Sequence, residues 1–211
     1  KNWFTPDLIQ RQANDSILST FDVDHIAPEA LLWQAGYLTF QKVKQSRSGT
    51  WTYTLGYPNR EVEMALNDSL LPMYGPEAQP AFVARTQLED ALENHNMDAL
   101  RASIHALFAS IPYEWYRRNP LAEFEGHYAS VFYSQLAALG MNAQAEDITN
   151  RGRIDLSLRL DDQVYLFEFK VVENKAEGKA LQQLIDRGYA DKFRHSSLSG
   201  VEVNVTLIGI E

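Results

Sequence analysis

One stretch, residues 152–170 (GRIDLSLRLDDQVYLFEFK), constrains the fold more than any other. It reads as two adjacent strands joined by a tight turn at Asp161-Asp162. The first strand, 154–160, places an apolar residue at every second position: Ile154, Leu156, Leu158 and Leu160. The second, 164–170, is almost wholly apolar until Glu168 and Lys170 interrupt it. An unbroken apolar run is the mark of a strand buried on both faces. Burying an acid and a base there costs several kcal/mol unless they are paired or bind a metal. Residues two apart on a strand share a face, so Glu168 and Lys170 are expected together, with Phe167 and Phe169 anchoring the opposite face.

The remaining order is consistent with that start. Residues 6–20 read as a helix begun by Pro6. A short helix over 28–35 stops at Gly36, and the alternating runs 37–44 and 50–57 form a hairpin signature. Pro58 opens an amphipathic helix closed by Gly75-Pro76. Helix, helix, hairpin and helix within residues 1–76 look like a winged-helix-type or lid module, or more simply a small α+β packing unit. Residues 77–118 read as a helical connector of two helices joined at His95-Asn96 and ended by Ile111-Pro112; His105 lies among apolar neighbours as a core or boundary residue. From residue 119 the order becomes α-β-β-β-α-β. The elements are a long helix over 121–140, a strand over 141–148, the two opening strands, a helix over 178–193 and an alternating strand over 201–210.

Bulk properties exclude some chemistries. With no cysteine in 211 residues there is no disulfide, thiolate zinc site or cysteine nucleophile. A cytoplasmic setting fits, no signal peptide is visible, and no run approaches the roughly 18 apolar residues of a membrane span. The net charge of −9 argues against a broadly basic nucleic-acid binder but leaves room for an enzyme with a local basic patch.

Four residues carry the candidate chemistry: Glu125 early on the long helix, Asp155 on the first opening strand, and Glu168 and Lys170 on the second. Carboxylates with a backbone carbonyl make an oxygen cage suited to Mg²⁺ or Mn²⁺. A cation there activates water and stabilises charge on phosphate, and a neighbouring lysine assists. The E-x-K spacing alone is unspecific. It recurs at Glu173-Asn174-Lys175 and Glu177-Gly178-Lys179, which sit in a polar stretch as solvated charges.

The element order, with Glu125 on its first helix, Asp155 on its second strand and Glu168-Phe169-Lys170 on its third, resembles the PD-(D/E)XK nuclease superfamily and its restriction-endonuclease-like core. Gln183 and Tyr189 in QQLIDRGYADKF look like the Q-x-x-x-x-x-Y helix of one branch, in which a predicted AAA-type ATPase region precedes the nuclease-like domain. The segments IAPEALLWQAGYLTF and TYTLGYPNREVE look like the close of that ATPase-like region. The resemblance implies an α/β (α+β) chain with three parts. These are a winged-helix-like module at 1–76, a helical connector at 77–118 and a nuclease-like domain at 119–211. It implies Mg²⁺ or Mn²⁺ held by Glu125, Asp155 and Glu168, catalysis aided by Lys170, support from Gln183 and Tyr189, and a nucleic-acid substrate, DNA foremost. There is no GxxxxGK[ST] loop, so ATP binding is not expected of this chain, which reads as the C-terminal part of a longer protein. Beside this stand two other readings: a non-catalytic nucleic-acid-binding or interaction module on the same fold, and a purely structural Glu168–Lys170 ion pair. His127 and Arg153 are further candidates for phosphate contact or for simple packing and pairing.

Overall fold

A computed structural model describes residues 11–19, 27–73, 78–110, 125–172, 175–194 and 203–211. The expected stops at Gly75-Pro76 and Ile111-Pro112 and the start of the helix from Leu121 fall outside these residues. The strands are β1 (Gln12–Ala13), β2 (Thr39–Gln45), β3 (Trp51–Gly56), β4 (Asn142–Thr149), β5 (Gly152–Leu160), β6 (Gln163–Phe169) and β7 (Asn204–Ile210). The helices are α1 (Asp15–Leu18), α2 (Pro28–Gln34), α3 (Arg60–Leu70), α4 (Ala78–Glu93), α5 (Met97–Ala109), α6 (Glu125–Ala138), α7 (Lys179–Arg187) and α8 (Asp191–Arg194).

The strands form two sheets, β1-β3-β2 and β4-β5-β6-β7. In the second, β4–β5 and β5–β6 are antiparallel and β6–β7 is parallel. With α6 before β4 and α7 between β6 and β7, this is the mixed α+β order of the restriction-endonuclease-like core. The turn falls at Asp161-Asp162, where Asp161 adopts φ 50°.

Local chemistry explains most boundaries. Asn59 and Asn96 start α3 and α5 by accepting from the amides of Val62 (2.9 Å) and Ala99 (3.0 Å), which satisfies otherwise orphaned helix donors. Two expectations need correction. Residues 6–20 are not one helix across the described part: Gln12 and Ala13 pair with Thr54 and Tyr53 of β3, and Asn14 then caps a single turn through Ile17 N at 2.9 Å. Long-range pairing overrides helical periodicity there. The helix expected over 178–193 divides, because Gly188 takes the left-handed conformation (φ 59°) that ends helices.

Strand β6 is the centre of the core. Tyr165, Phe167 and Phe169 pack with Leu156, Leu158 and the buried Phe132, Tyr133 and Leu136 of α6. Val164 and Leu166 pack on the other face with Ile154, Leu184 of α7 and Tyr189. Helix α6 is buried from Ala129 to Ala137, as a helix apolar on most sides should be. Helix α7 approaches β7 so closely that a Cβ on Gly209 would stand 2.4 Å from Leu181 N and 2.9 Å from its Cα. Gly209→Ala is therefore expected to lower stability by about 1–3 kcal/mol through overpacking. Urea unfolding checks this, and a variant as stable as the parent contradicts the close approach.

Candidate active site

The site forms where β5 and β6 part. Their ladder ends at the pair Leu156↔Phe167. Beyond it the Phe169 amide, facing β5, is taken by the side chain of Asp155 (Oδ2, 2.9 Å), while the next amide, Lys170 N, reaches Ile210 O of β7 at 2.9 Å. Asp155 thus replaces a ladder bond and braces the opening. The faces of β5 also change here: Leu156 and Leu158 join the α6 side of the core, whereas Ile154 joins the α7 side. Opposite, Glu146 adopts φ 51°.

Glu168 is 2% exposed, the most enclosed acid of the expected set. Its Oε1 accepts a hydrogen bond from Gln183 Nε2 of α7, and its Oε2 is buried with no partner in the structure. Burial, then the charge of Asp155, pushes its carboxyl up to about 7, against the opposing pull of Lys170, the Asp155 backbone and Gln183. Asp155 is raised as well, first by burial and also by Glu125, while the Phe169 amide, Lys170 and Arg153 pull it down.

Lys170 lies one residue past the end of β6, so strand alternation no longer sets its direction. Its ammonium contacts both carboxylate oxygens of Glu125, at 3.2 and 3.1 Å. The ion pair in this structure is thus Lys170–Glu125, not Lys170–Glu168. Glu125, Asp155, Glu168 and Lys170 influence one another electrostatically, but among the described residues no three acidic or histidine side chains are drawn together as a ready metal cluster. Asp155 and Glu168, which act on each other, do offer hard oxygen donors at the fork, and the Glu168 Oε2 is without a hydrogen-bond partner. Mg²⁺ commonly takes one or two carboxylates and keeps its waters, so the residues fit such a cation.

Tyr189, 3% exposed, rests against the strand start: a Cβ on Gly152 (φ 146°) would come within 2.7 Å of its hydroxyl. Burial raises its phenol, followed by the nearby Glu168. Gln183 and Tyr189 therefore both border Glu168 from the α7 side. His127 is half-buried against Tyr128, and Arg153 pairs with Glu146 at 3.1 Å. His105 is exposed, not buried.

A second buried acid carries no mark in the sequence. Asp147 on β4, 2% exposed, accepts from Ser157 Oγ at 2.9 Å and pairs with Lys192 of α8. These residues come from three separate segments, and only the folded sheet brings them together.

Residues 123–211 match the family model of the PD-(D/E)XK nuclease superfamily. The match begins just before α6 and contains the whole four-stranded sheet and α7. Over 193 residues the chain is 52% identical to an uncharacterized protein in the vnfD 5′ region of Azotobacter chroococcum mcd 1, covering 90% of this chain and 37% of that protein. The chain thus spans little more than a third of that relative's length. No solved structure matches. No helix among the described residues is long and apolar enough to cross a membrane.

The raised Glu168 carboxyl has a consequence for stability. The folded protein holds this proton more tightly than the unfolded chain, whose glutamates have an ordinary value of 4.5. The stability this lends is complete below about 4.5 and is lost as pH rises through about 7. In EDTA, the melting temperature of the parent is expected to fall more between pH 5 and pH 8 than that of Glu168→Gln. Equal losses in thermal melts of the two proteins contradict the assignment.

Proposed function

We propose that this chain carries a divalent-metal-dependent nuclease domain that hydrolyses phosphodiester bonds of nucleic acid, DNA foremost. The observation that supports this best is the pairing of a buried, half-unsatisfied Glu168 with Asp155 at the strand fork, Lys170 beside them. The match of residues 123–211 to a nuclease superfamily supports the same reading. Asp155 and Glu168 would hold Mg²⁺ or Mn²⁺, and Glu125 is the third candidate ligand, engaged in this structure by Lys170.

A bound divalent cation supplies Lewis-acid stabilisation of phosphate charge and lowers the pKa of a coordinated water. The chain's own residues do the rest. Asp155 fixes the fork through the Phe169 amide, so the acidic face keeps its shape. Gln183 holds Glu168 by one oxygen and leaves the other for a ligand. Lys170 carries a positive charge that acts on both acids. Shared with Glu125, that charge is positioned to orient the attacking water or to stabilise a phosphorane-like oxyanion. Tyr189 closes the α7 side against bulk water.

In its native setting we infer that the domain follows an ATPase-like region of the same protein, consistent with the small share of the relative's length it spans. The Lys170–Glu125 pair also supports a second reading, a non-catalytic nucleic-acid-binding module. Activity decides between them. Cleavage of plasmid and single-stranded DNA with Mg²⁺ or Mn²⁺ is expected of the parent, with losses on the order of 10²–10³-fold in Asp155→Ala and Lys170→Ala. Equal rates in all three proteins would sink the catalytic assignment. Because Glu168 must lose its proton to ligate a cation, Mn²⁺ affinity measured by calorimetry is expected to be higher at pH 8 than at pH 6. An affinity indifferent to pH would remove Glu168 from the ligand set.

A further inference from the structure

The acidic character of this chain is not evenly spread. Between Glu29 and Glu61 there is no acidic residue, while Lys42, Lys44, Arg47 and Arg60 all fall in that interval. The hairpin β2–β3 sorts these residues by face. Tyr53 and Leu55 pack into the small N-terminal core, and Phe40 stacks between Trp33 (5.4 Å) and Tyr53 (4.5 Å). Lys42 and Lys44, opposite Thr54 and Thr52, share the other face of the sheet. That face does not meet open solvent alone. It forms one wall of a cavity of about 870 Å³ whose other wall is the end of α6 and the start of β4, including Gly140 and Asn142.

The cavity is rich in hydrogen-bond donors. Gln12, Gln41, Lys42, Asn59, Arg60 and Asn142 line it. Among the described residues its one acid, Glu63, already accepts from Tyr133 Oη at 2.8 Å. Two cations and several neutral donors around the single, occupied carboxylate among the described residues suit a chain of phosphates. Phosphate contacts are made by this mixture of lysine, arginine and amide side chains.

We propose that this groove binds the sugar-phosphate backbone of the nucleic-acid substrate, with Lys42 and Arg60 as the principal phosphate contacts; this rests on the nuclease reading of the strand fork. The edge strand connects the two places. Asn142 at the groove lies four residues before Glu146, which flanks Asp155 in the β4–β5 register. That is about 13 Å along a strand, or roughly four phosphate steps of one nucleic-acid strand. The groove would grip the substrate some distance from the cut, in a chain whose overall charge opposes binding elsewhere.

The test uses the 211-residue chain, a short fluorescein-labelled DNA duplex and its single strand, and fluorescence anisotropy in EDTA across a salt series. The double variant Lys42→Gln/Arg60→Gln is compared with the parent and with Arg101→Gln, an exposed cation of α5 outside the groove lining. Thermal melts confirm that all three are folded. The expected result is an affinity reduced on the order of tenfold or more in the groove variant. Its slope of log affinity against log salt should be shallower by about 0.9 for each lost duplex contact, and Arg101→Gln should bind like the parent. A groove variant with the parent's affinity and slope overturns the proposal and leaves the groove to a protein partner. So does a parent that shows no salt-sensitive binding. Groove-dependent binding without any cleavage under Mg²⁺ or Mn²⁺ supports the groove and counts against the nuclease reading alone.

Discussion

An acid buried at the end of a strand enclosed on both sides is the constraint to which the rest of the domain answers. Glu168 cannot be left unpaired in such surroundings without a cost of several kcal/mol. The fold answers in two ways: it pushes the carboxyl toward neutrality, and it brings Gln183 to one oxygen. Both answers require α7 to lie close against the sheet. That closeness is built from Gly209, which leaves room for the backbone of Leu181, and from Ala180 and Leu184, which are fully buried. One buried charge thus determines where a helix must pack and which residues can sit beneath it.

The second organising feature is the fork between β5 and β6. A sheet that stayed zipped would satisfy the Phe169 amide with a carbonyl and leave no room for chemistry. Asp155 takes that amide instead. It therefore holds the strands apart and keeps a carboxylate at the gap, in one hydrogen bond. Lys170 stands just past the strand end and so is free to turn toward Glu125 at the start of α6. Structural bracing and candidate chemistry share the same atoms, which is why a substitution at Asp155 is read most safely by activity and stability together.

Much of this was legible from the sequence because it depends on local signals. The apolar run of β6, the alternation of β5 and the Asp161-Asp162 turn specify a buried hairpin, Pro58 announces α3, and His95-Asn96 announces the break between α4 and α5. Glu168 stood out because an acid interrupts an apolar strand, and Gln183 and Tyr189 through the resemblance of their helix; the structure places both beside Glu168. What was not legible depends on partners far away in the chain. The two residues of β1 are a strand only because β3 lies beside them. The direction of Lys170 depends on the strand ending one residue earlier. The bond from Asp155 is to a backbone amide, which no side-chain pattern announces. Asp147, Ser157 and Lys192 meet across three elements.

The side chain of Glu211 accepts hydrogen bonds from the amides of Gly178 (2.9 Å) and Ala180 (2.7 Å) at the start of α7. A helix N-terminus is a natural resting place for an anion, since its free amides and dipole both favour negative charge. In this domain that place is already filled from within. A phosphate arriving near α7 would meet a carboxylate where it would otherwise find open amides, so the positive end of this helix is closed to an outside anion. In the proposed nuclease, the hold on a phosphate near α7 would fall to side chains, and where these are cationic it weakens as salt rises.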